Sequence, residues 1–179
     1  MRSPDPVSQP KAYQDHLVGL VGDEDPADVQ AGTPAAVRDL LARAGASASV
    51  RPQAGEWSVA ECVAHILDAE LVSSVRYRWI LAHDEPPLVG YDQDLWIDRL
   101  HSPPEDAAEM QGLFEALRHA NLALWWRTPE SNRDRVGIHA ERGRESYGLT
   151  FTLIAGHDRF HLDQAERALA AVQTDTRMP

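Results

Sequence analysis

The segment SVAECVAHILDAELVSSVRYRWI, residues 58–80, decides the fold of this chain. It opens with Ser58 and Glu61, which have the S-x-x-E spacing of a capping box, an arrangement that satisfies free N–H groups at the start of a helix. Apolar or small side chains then recur every three or four residues, as on the buried face of an α-helix: Val59, Cys62, Val63, Ile66, Ala69, Ser73, Tyr77 and Ile80. The segment therefore predicts a long core helix over 58–83.

Caps and helix breakers outline the other helices. Thr33 followed by Pro34 is typical of an N-cap with proline in the first turn, and Gly45 is a stop signal. Ser102 and Glu105 form a second capping box. The main helices are therefore predicted over 34–45, 58–83, 103–128 and 147–173, with a short one over 11–21.

No segment has a convincing strand pattern, so we predict an all-α four-helix bundle with a short extra N-terminal helix. Residues 1–10, with three prolines, are expected to form a flexible arm, and 11–179 a single domain. Residues 84–101 are interpreted as a connection between helices. Residues 129–146 are highly charged and punctuated by glycine, which favours a long exposed loop.

The composition excludes several classes of partner. The net charge of −11 argues against nucleic acid and anionic membranes, which bind proteins largely through Lys and Arg. Cys62 is the one cysteine, so no internal disulfide can form. We expect a small buried hydrophobe there, with a metal ligand or nucleophile as the alternative because it lies three residues before His65. The N-terminus lacks the apolar segment of a signal peptide, and no apolar run is long enough to span a bilayer. We therefore expect a cytoplasmic protein, with a homodimer left open.

His157 and His161 are the most informative pair for function. Four residues apart on a helix, they lie on one face with Cβ atoms about 5–6 Å apart, close enough for both rings to bind one divalent cation. Eight histidines occur in the chain, so a chance pair with a structural role is the alternative. A third ligand is needed, and His65 in the 58–83 helix is the candidate. Asp158, between the pair, is expected to be a solvated helix residue.

Several short motifs share the order and spacing of a known family. They are Gly55-Glu56-Trp57-Ser58 with Glu61 and His65, Asp68-Ala69-Glu70 with Arg76, Tyr91-Asp92 with Asp94 and Trp96, Gly137-Ile138-His139 with Gly143, and His157, His161 and Gln164. In this order the chain resembles the DinB-like superfamily of four-helix bundles, from about residue 12 onward. The resemblance implies a metal site formed by His65, His157 and His161. It does not imply DNA binding, despite the origin of the family name in damage-inducible genes.

The resemblance also implies small-molecule chemistry. Similar proteins include transferases that use bacillithiol or mycothiol, a mycothiol-dependent isomerase, and many presumed metal-dependent hydrolases. We therefore expect a divalent ion (zinc, nickel or iron) that presents a cofactor thiolate to an electrophile. A hydrolase using metal-bound hydroxide is the alternative enzyme. A non-enzymatic metal- or ligand-binding stress protein is the third reading.

Four further residues are candidates around the metal or the substrate. Glu61, four residues before His65, either orients that ring or only completes the capping box. Arg76 could recognise a carboxylate, with a surface salt bridge as the alternative. His139 could contact substrate from a covering loop, with an exposed side chain as the alternative. Gln164 could contact metal-bound water or make a buried hydrogen bond.

Overall fold

The computed structural model describes residues 4–5, 7–102 and 106–175. Within these ranges the chain forms six α-helices: α1 (Pro10–Val21), α2 (Pro26–Ala44), α3 (Val59–Ala82), α4 (Gln93–Leu100), α5 (Ala107–Arg127) and α6 (Tyr147–Asp175). Helices α3 and α5 contact each other, α2 and α6 contact each other, and each of the first pair packs on a member of the second, while α1 lies against α6. The predicted four-helix bundle with an extra N-terminal helix is confirmed. None of the described helices is long and apolar enough to cross a membrane.

The capping box at the start of α3 forms as the sequence predicts. The Ser58 hydroxyl accepts from the backbone N–H of Glu61 at 3.3 Å, and the Glu61 carboxylate accepts from the backbone N–H of Ser58 at 2.7 Å. The following helix is buried along most of its length. Local hydrogen bonds thus fix the start of α3, and the spacing of its apolar residues determines which face is buried.

Helix α2 begins earlier than predicted. Asp25 is the N-cap, and its carboxylate accepts from the Ala27 N–H at 2.8 Å. The N-cap and first-turn proline are therefore Asp25 and Pro26, and the prediction of Thr33 and Pro34 in these positions was wrong. Pro34 instead lies inside the helix, where it cannot donate to the carbonyl of Gln30. That carbonyl accepts from Arg118 Nη1 at 3.0 Å. A tertiary contact therefore replaces the missing helical hydrogen bond.

Helix α5 begins at Ala107. Asp106 caps it, accepting from the N–H groups of Ala108 at 2.9 Å and Glu109 at 3.1 Å. The predicted capping box of Ser102 and Glu105 falls partly on 103–105, outside the described residues.

The prediction of a plain connection and an exposed loop was wrong. Three short strands, β1 (Pro87–Leu88), β2 (Val136–His139) and β3 (Gly143–Ser146), form one sheet with β2 in the centre. Strand β2 pairs parallel to β1 and forms an antiparallel hairpin with β3. Strands of two to four residues are too short to show an alternating pattern, which explains why they were missed.

Glycine permits a close helix crossing beside the histidine pair. A Cβ on Gly156 would lie 2.1 Å from the backbone oxygen of Leu17, so α1 touches α6 backbone to backbone at this point. The close approach brings the Leu17 turn of α1 beside the part of α6 that carries His157.

Buried polar residues form a layer across the middle of the bundle. The polar layer joins all four main helices through Gln30, Thr33, Glu70, Arg118, Asn121 and Asp158. Along α2, α5 and α6 these residues fall between two hydrophobic clusters. Arg118 donates to Glu70 at 2.8 Å and to Asp158 at 2.6 Å. Asp158 is therefore buried and paired, and its prediction as a solvated residue was wrong.

Candidate metal centre

Three histidines from two helices meet beside the polar layer. His65 comes from α3, and His157 and His161 come from adjacent turns of α6. Nε2 of His65 lies 2.9 Å from Nε2 of His157, and one nitrogen from each of the three rings lies within 4.8 Å of the other two. All three side chains are buried. The i, i+4 spacing on α6 and the core position on α3 thus bring together the residues proposed from the sequence.

The three rings are held in the neutral form that binds metal. Burial is the main cause that lowers the pKa of His65 and of His157 well below the usual value, and neighbouring histidines lower it further. Burial also lowers the pKa of His161 to about 4. At neutral pH each ring therefore keeps a lone pair on one nitrogen, which is the form that coordinates a divalent ion. The donor set fits such an ion.

Gln164 fixes the orientation of one ring. Its Oε1 lies 2.9 Å from Nδ1 of His161, one turn earlier on α6. An amide oxygen can only accept, so the ring proton is on Nδ1 and the lone pair is on Nε2. This is the arrangement in which an outer hydrogen bond sets the tautomer of a metal-binding histidine. Gln164 therefore contacts a histidine of the cluster through a partly buried hydrogen bond.

Glu61 makes its hydrogen bonds away from the cluster. Its carboxylate accepts from Arg51 at 2.6 Å and from the backbone of Ser58, so both oxygens serve the cap and an ion pair. Trp57 is closer to the site than its position before the helix suggested. Its ring centroid lies 5.1 Å from that of His65 and 6.0 Å from that of His161, so it forms an aromatic wall of the cluster.

Cys62 lies outside the group of potential metal ligands. It is fully buried in the hydrophobic core, and burial raises the pKa of its thiol to about 12. A protonated, packed thiol is an apolar side chain in practice.

A cavity of about 510 Å³ opens beside His65 and His157. Arg76 of α3 and His139 of β2 both line it, so two of the candidates proposed from sequence face the space next to the histidines. His139 is only 2% exposed, contrary to the alternative of an exposed loop side chain. Among the other polar groups of the wall, Ser73 and Arg142 were not proposed as site residues, and Tyr91 was named only as part of a family motif.

Two of these residues had a weak signal in the sequence. Ser73 lies on the same face of α3 as Arg76, three residues earlier. Tyr91 stands next to the Asp92 cap of α4 and packs against Trp96, with ring centroids 4.3 Å apart. Arg142 had none, because its place depends on the hairpin.

Comparison with known proteins agrees with this architecture. Residues 23–165 match the DinB superfamily. This chain belongs to the DinB superfamily. Its structure is similar to that of YfiT from Bacillus subtilis, described as a probable metal-dependent hydrolase with an unusual four-helix bundle topology, with a TM-score of 0.75 and 19% identity over 92% of this chain and 89% of the other. That likeness establishes the shared fold.

Two curated relatives carry the name "Putative metal-dependent hydrolase". One, from Oceanobacillus iheyensis, is 25% identical over 65% of this chain and 66% of the relative. Another, from Bacillus cereus, is 24% identical over 60% of this chain and 61% of the relative. The chain thus spans slightly less than two thirds of the length of these relatives.

Proposed function

We propose that this chain is a divalent-metal-dependent enzyme that acts on small molecules in the cavity beside His65 and His157. The observation that carries the proposal is the convergence of three buried, neutral imidazoles, two of which line that cavity. Zinc, nickel or iron held by three neutral ligands would keep its full charge and an open position, and would lower the pKa of a thiol or water that contacts it.

The finer proposal is transfer of a low-molecular-weight thiol, of the bacillithiol or mycothiol type, to an electrophile. An uncompensated dication favours an anionic sulfur as its next ligand. The cavity volume, about 510 Å³, is within the range of pockets that take small ligands. Gln164 holds His161 in one tautomer and Trp57 packs on the rings, so the site is pre-organised before a ligand enters.

Hydrolysis is the second candidate, because the relatives are named as hydrolases. The same neutral donor set supports either reaction, and geometry does not separate them. The walls would serve a polar substrate equally in both cases, since Arg76, His139 and Tyr91 line the cavity.

Activity separates the candidates. Purified protein is first analysed for bound metal, and metal-loaded protein is then assayed with bacillithiol, mycothiol or glutathione and a model electrophile. We expect thiol consumption that His161→Ala abolishes and that His119→Ala, a change at an exposed histidine of α5, leaves intact.

Three other results would redirect the proposal. Ester or amide hydrolysis without thiol, with conjugation at background, would select the hydrolase. Metal binding with neither activity over a broad panel would select a non-enzymatic metal- or ligand-binding protein. Metal content unchanged in His157→Ala would reject the three-histidine site itself, because two imidazoles hold a labile dication poorly.

A further inference from the structure

Arg76 carries a buried positive charge without a counter-ion. Its side chain is 7% exposed, and no carboxylate within the described ranges forms an ion pair with it. Nη2 donates to the carbonyl of Val89 at 2.5 Å, while Nε has no hydrogen-bond partner. Arginine stays protonated in proteins, and buried charges are ordinarily paired. The charge therefore lacks the anion that a purely structural arginine would have.

Besides Nδ1 of His65 and Nδ1 of His157, two further unpartnered groups line the same cavity as Arg76. Ser73 Oγ is buried without a hydrogen-bond partner, and so is Nε2 of His139. Ser73 and Arg76, three residues apart, share a face of α3. Buried polar groups are rarely left unsatisfied in proteins, so three such groups around one cavity call for a ligand.

The hydrogen bonds of His139 show which chemistry it offers. Its Nδ1 accepts from the backbone N–H groups of Glu141 at 3.2 Å and Arg142 at 3.4 Å. The ring proton is therefore on Nε2, which makes that atom a donor. Burial, followed by Arg142 and Arg76, lowers the pKa of His139 to about 4, so the ring stays neutral with this tautomer. Like Arg76 Nε and the Ser73 hydroxyl, it can donate to an oxygen.

Among the buried charges near the cavity, the positive charge of Arg76 has no negative charge to balance it. Glu145 is fully buried and bound to Arg142, and it also accepts from Gln14 at 2.7 Å. Its charge is thus committed to Arg142, and Arg76 is not neutralised. Other carboxylates line the cavity only at exposed positions, where solvent screens them: Asp5, Asp92, Asp94 and Glu141.

We infer that Ser73, Arg76 and His139 form a subsite for a carboxylate, in the same cavity as the three histidines. We call these three residues the cavity donors. The inference rests on the proposed function for the identity of the ligand, which is either a thiol co-substrate bearing a carboxylate or an acidic second substrate. In both cases the carboxylate receives hydrogen bonds from three donors and the charge of Arg76. The ligand is thereby oriented toward the histidines.

The experiment compares matched probes by calorimetric titration of metal-loaded protein. The first pair is 3-mercaptopropionate and its methyl ester, which differ only in the charged group. The second pair, succinate and succinamide, lacks sulfur. We expect wild type to prefer the charged member of at least one pair by about tenfold or more, the size expected for hydrogen bonds to a charged group. Arg76→Met should abolish that preference. Arg144→Gln, at an exposed position of the β2–β3 hairpin that carries His139, should retain it.

The two pairs separate this inference from the proposed function. A preference within the thiol pair alone assigns the subsite to the thiol, and a preference within the succinate pair assigns it to a sulfur-free acid. Wild-type binding of both thiols with equal affinity, with no succinate preference, overturns the subsite while thiol binding survives. Failure of both thiols, with a succinate preference that Arg76→Met abolishes, keeps the subsite and removes the thiol proposal. No preference in either pair overturns the subsite.

Unfolding measurements guard against a purely structural role. A buried charge without a partner costs stability, so replacing it with an apolar side chain of similar length should leave the unliganded protein as stable as wild type or more so. A large loss of thermal stability in Arg76→Met, with the probe preference unchanged, would make Arg76 a structural residue and overturn the inference.

Discussion

The polar layer and the cavity donors are both buried and polar, yet only the polar layer has most of its hydrogen bonds made within the protein. In the polar layer, Arg118 binds Glu70, Asp158 and the Gln30 carbonyl, and the atoms left without a partner are Arg118 Nε and Gln30 Oε1. Around the cavity, Arg76 Nε has no partner, and neither have Ser73 Oγ and His139 Nε2. The first arrangement joins four helices, while the second presents its hydrogen bonds to a space.

The difference separates structural charge from functional charge. A buried ion pair with its hydrogen bonds complete contributes nothing to ligand binding, and losing one partner leaves the other charge stranded. Unpartnered donors cost stability in the free protein and are retained where a ligand completes them. Asp158 and His157 are sequence neighbours, yet Asp158 belongs to the polar layer and His157 lines the cavity, because adjacent positions on a helix point in different directions.

Acidification should cause the largest loss of stability, and it acts through the buried histidines of the metal centre and the cavity. The pKa of His161 and that of His139 are each lowered to about 4 from an ordinary 6.5, mainly by burial. The unfolded chain therefore binds protons more readily, so stability is complete above pH 6.5 and falls as the pH drops toward 4. Each of these histidines should cost about 2 kcal/mol between roughly pH 7 and pH 5.

Urea unfolding of metal-free protein at the two pH values measures this loss. His65 and His157 should add to it in the same direction, since burial lowers the pKa of both. His139→Gln should reduce the pH dependence by the share of one histidine. A free energy of unfolding that is constant between the two pH values would contradict the neutral, buried state of the cavity histidines.

Breaking the polar layer should give the next largest loss. Arg118→Met leaves the carboxylates of Glu70 and Asp158 buried without their cation, which should lower the free energy of unfolding by about 3–5 kcal/mol. Arg38→Met removes only an exposed ion pair with Glu115 and should change it by less than about 1 kcal/mol. Equal effects of the two substitutions in urea unfolding would show that the polar layer does not hold the helices together.

Gly156→Ala should weaken the contact between α1 and α6. The new Cβ would lie 2.1 Å from the backbone oxygen of Leu17, so the two helices must separate at a cost of about 1–3 kcal/mol. Gly19→Ala is the matched control, because nothing lies within 4 Å of its Cβ position in α1 and alanine should favour the helix. Thermal unfolding compares them. If both variants are stabilised, the helices do not make the close contact.

Local signals in the sequence were enough for the four main helices, apart from the start of α2, and for the three histidines, but they missed α4. The capping box of Ser58 and Glu61 and the four-residue spacing of His157 and His161 act within one or two turns, so they can be read without the fold. Gly156, next to this pair, is a local feature too, and in the structure it lies at the close crossing of α1 and α6.

Long-range pairing lay beyond the sequence signals. Asp158 is buried because Arg118 of α5 and Thr33 of α2 meet it, and neither lies near it in the chain. His139 faces the cavity because β2 pairs with β1, which precedes it by about fifty residues. Pro34 was interpreted as the start of a helix because no local signal shows that Arg118 donates to the Gln30 carbonyl, which Pro34 leaves without a helical hydrogen bond. Local sequence patterns therefore do not predict ion pairs between helices or the pairing of strands that lie far apart in the chain.

Gln164→Ala should give the smallest effect of the four predicted changes. It tests how far the metal-binding histidines depend on a hydrogen bond from a residue that does not itself bind the metal. Gln164 Oε1 lies 2.9 Å from His161 Nδ1, and its loss frees the ring to take either tautomer. Metal affinity should fall by about 10-fold or somewhat more, as for other outer partners of metal-binding histidines. Competition with a chromophoric chelator measures the change.

Two comparisons separate this positioning role from a general loss of folding. Gln164→Glu retains an acceptor at the same distance and should recover most of the affinity, whereas Gln111→Ala, at a half-exposed glutamine on α5, should leave it unchanged. The pH at which half the metal is released should rise in Gln164→Ala, because an imidazole without a fixed tautomer competes less well for the ion against protons. Unchanged affinity and an unchanged release profile would show that packing against Trp57 and His65, at ring-centroid distances of 6.0 and 4.4 Å, already holds His161 in place. The cavity side would then resemble the polar layer, with its metal-binding ring fixed by the protein's own contacts and only Ser73, Arg76 and His139 left for a ligand to complete.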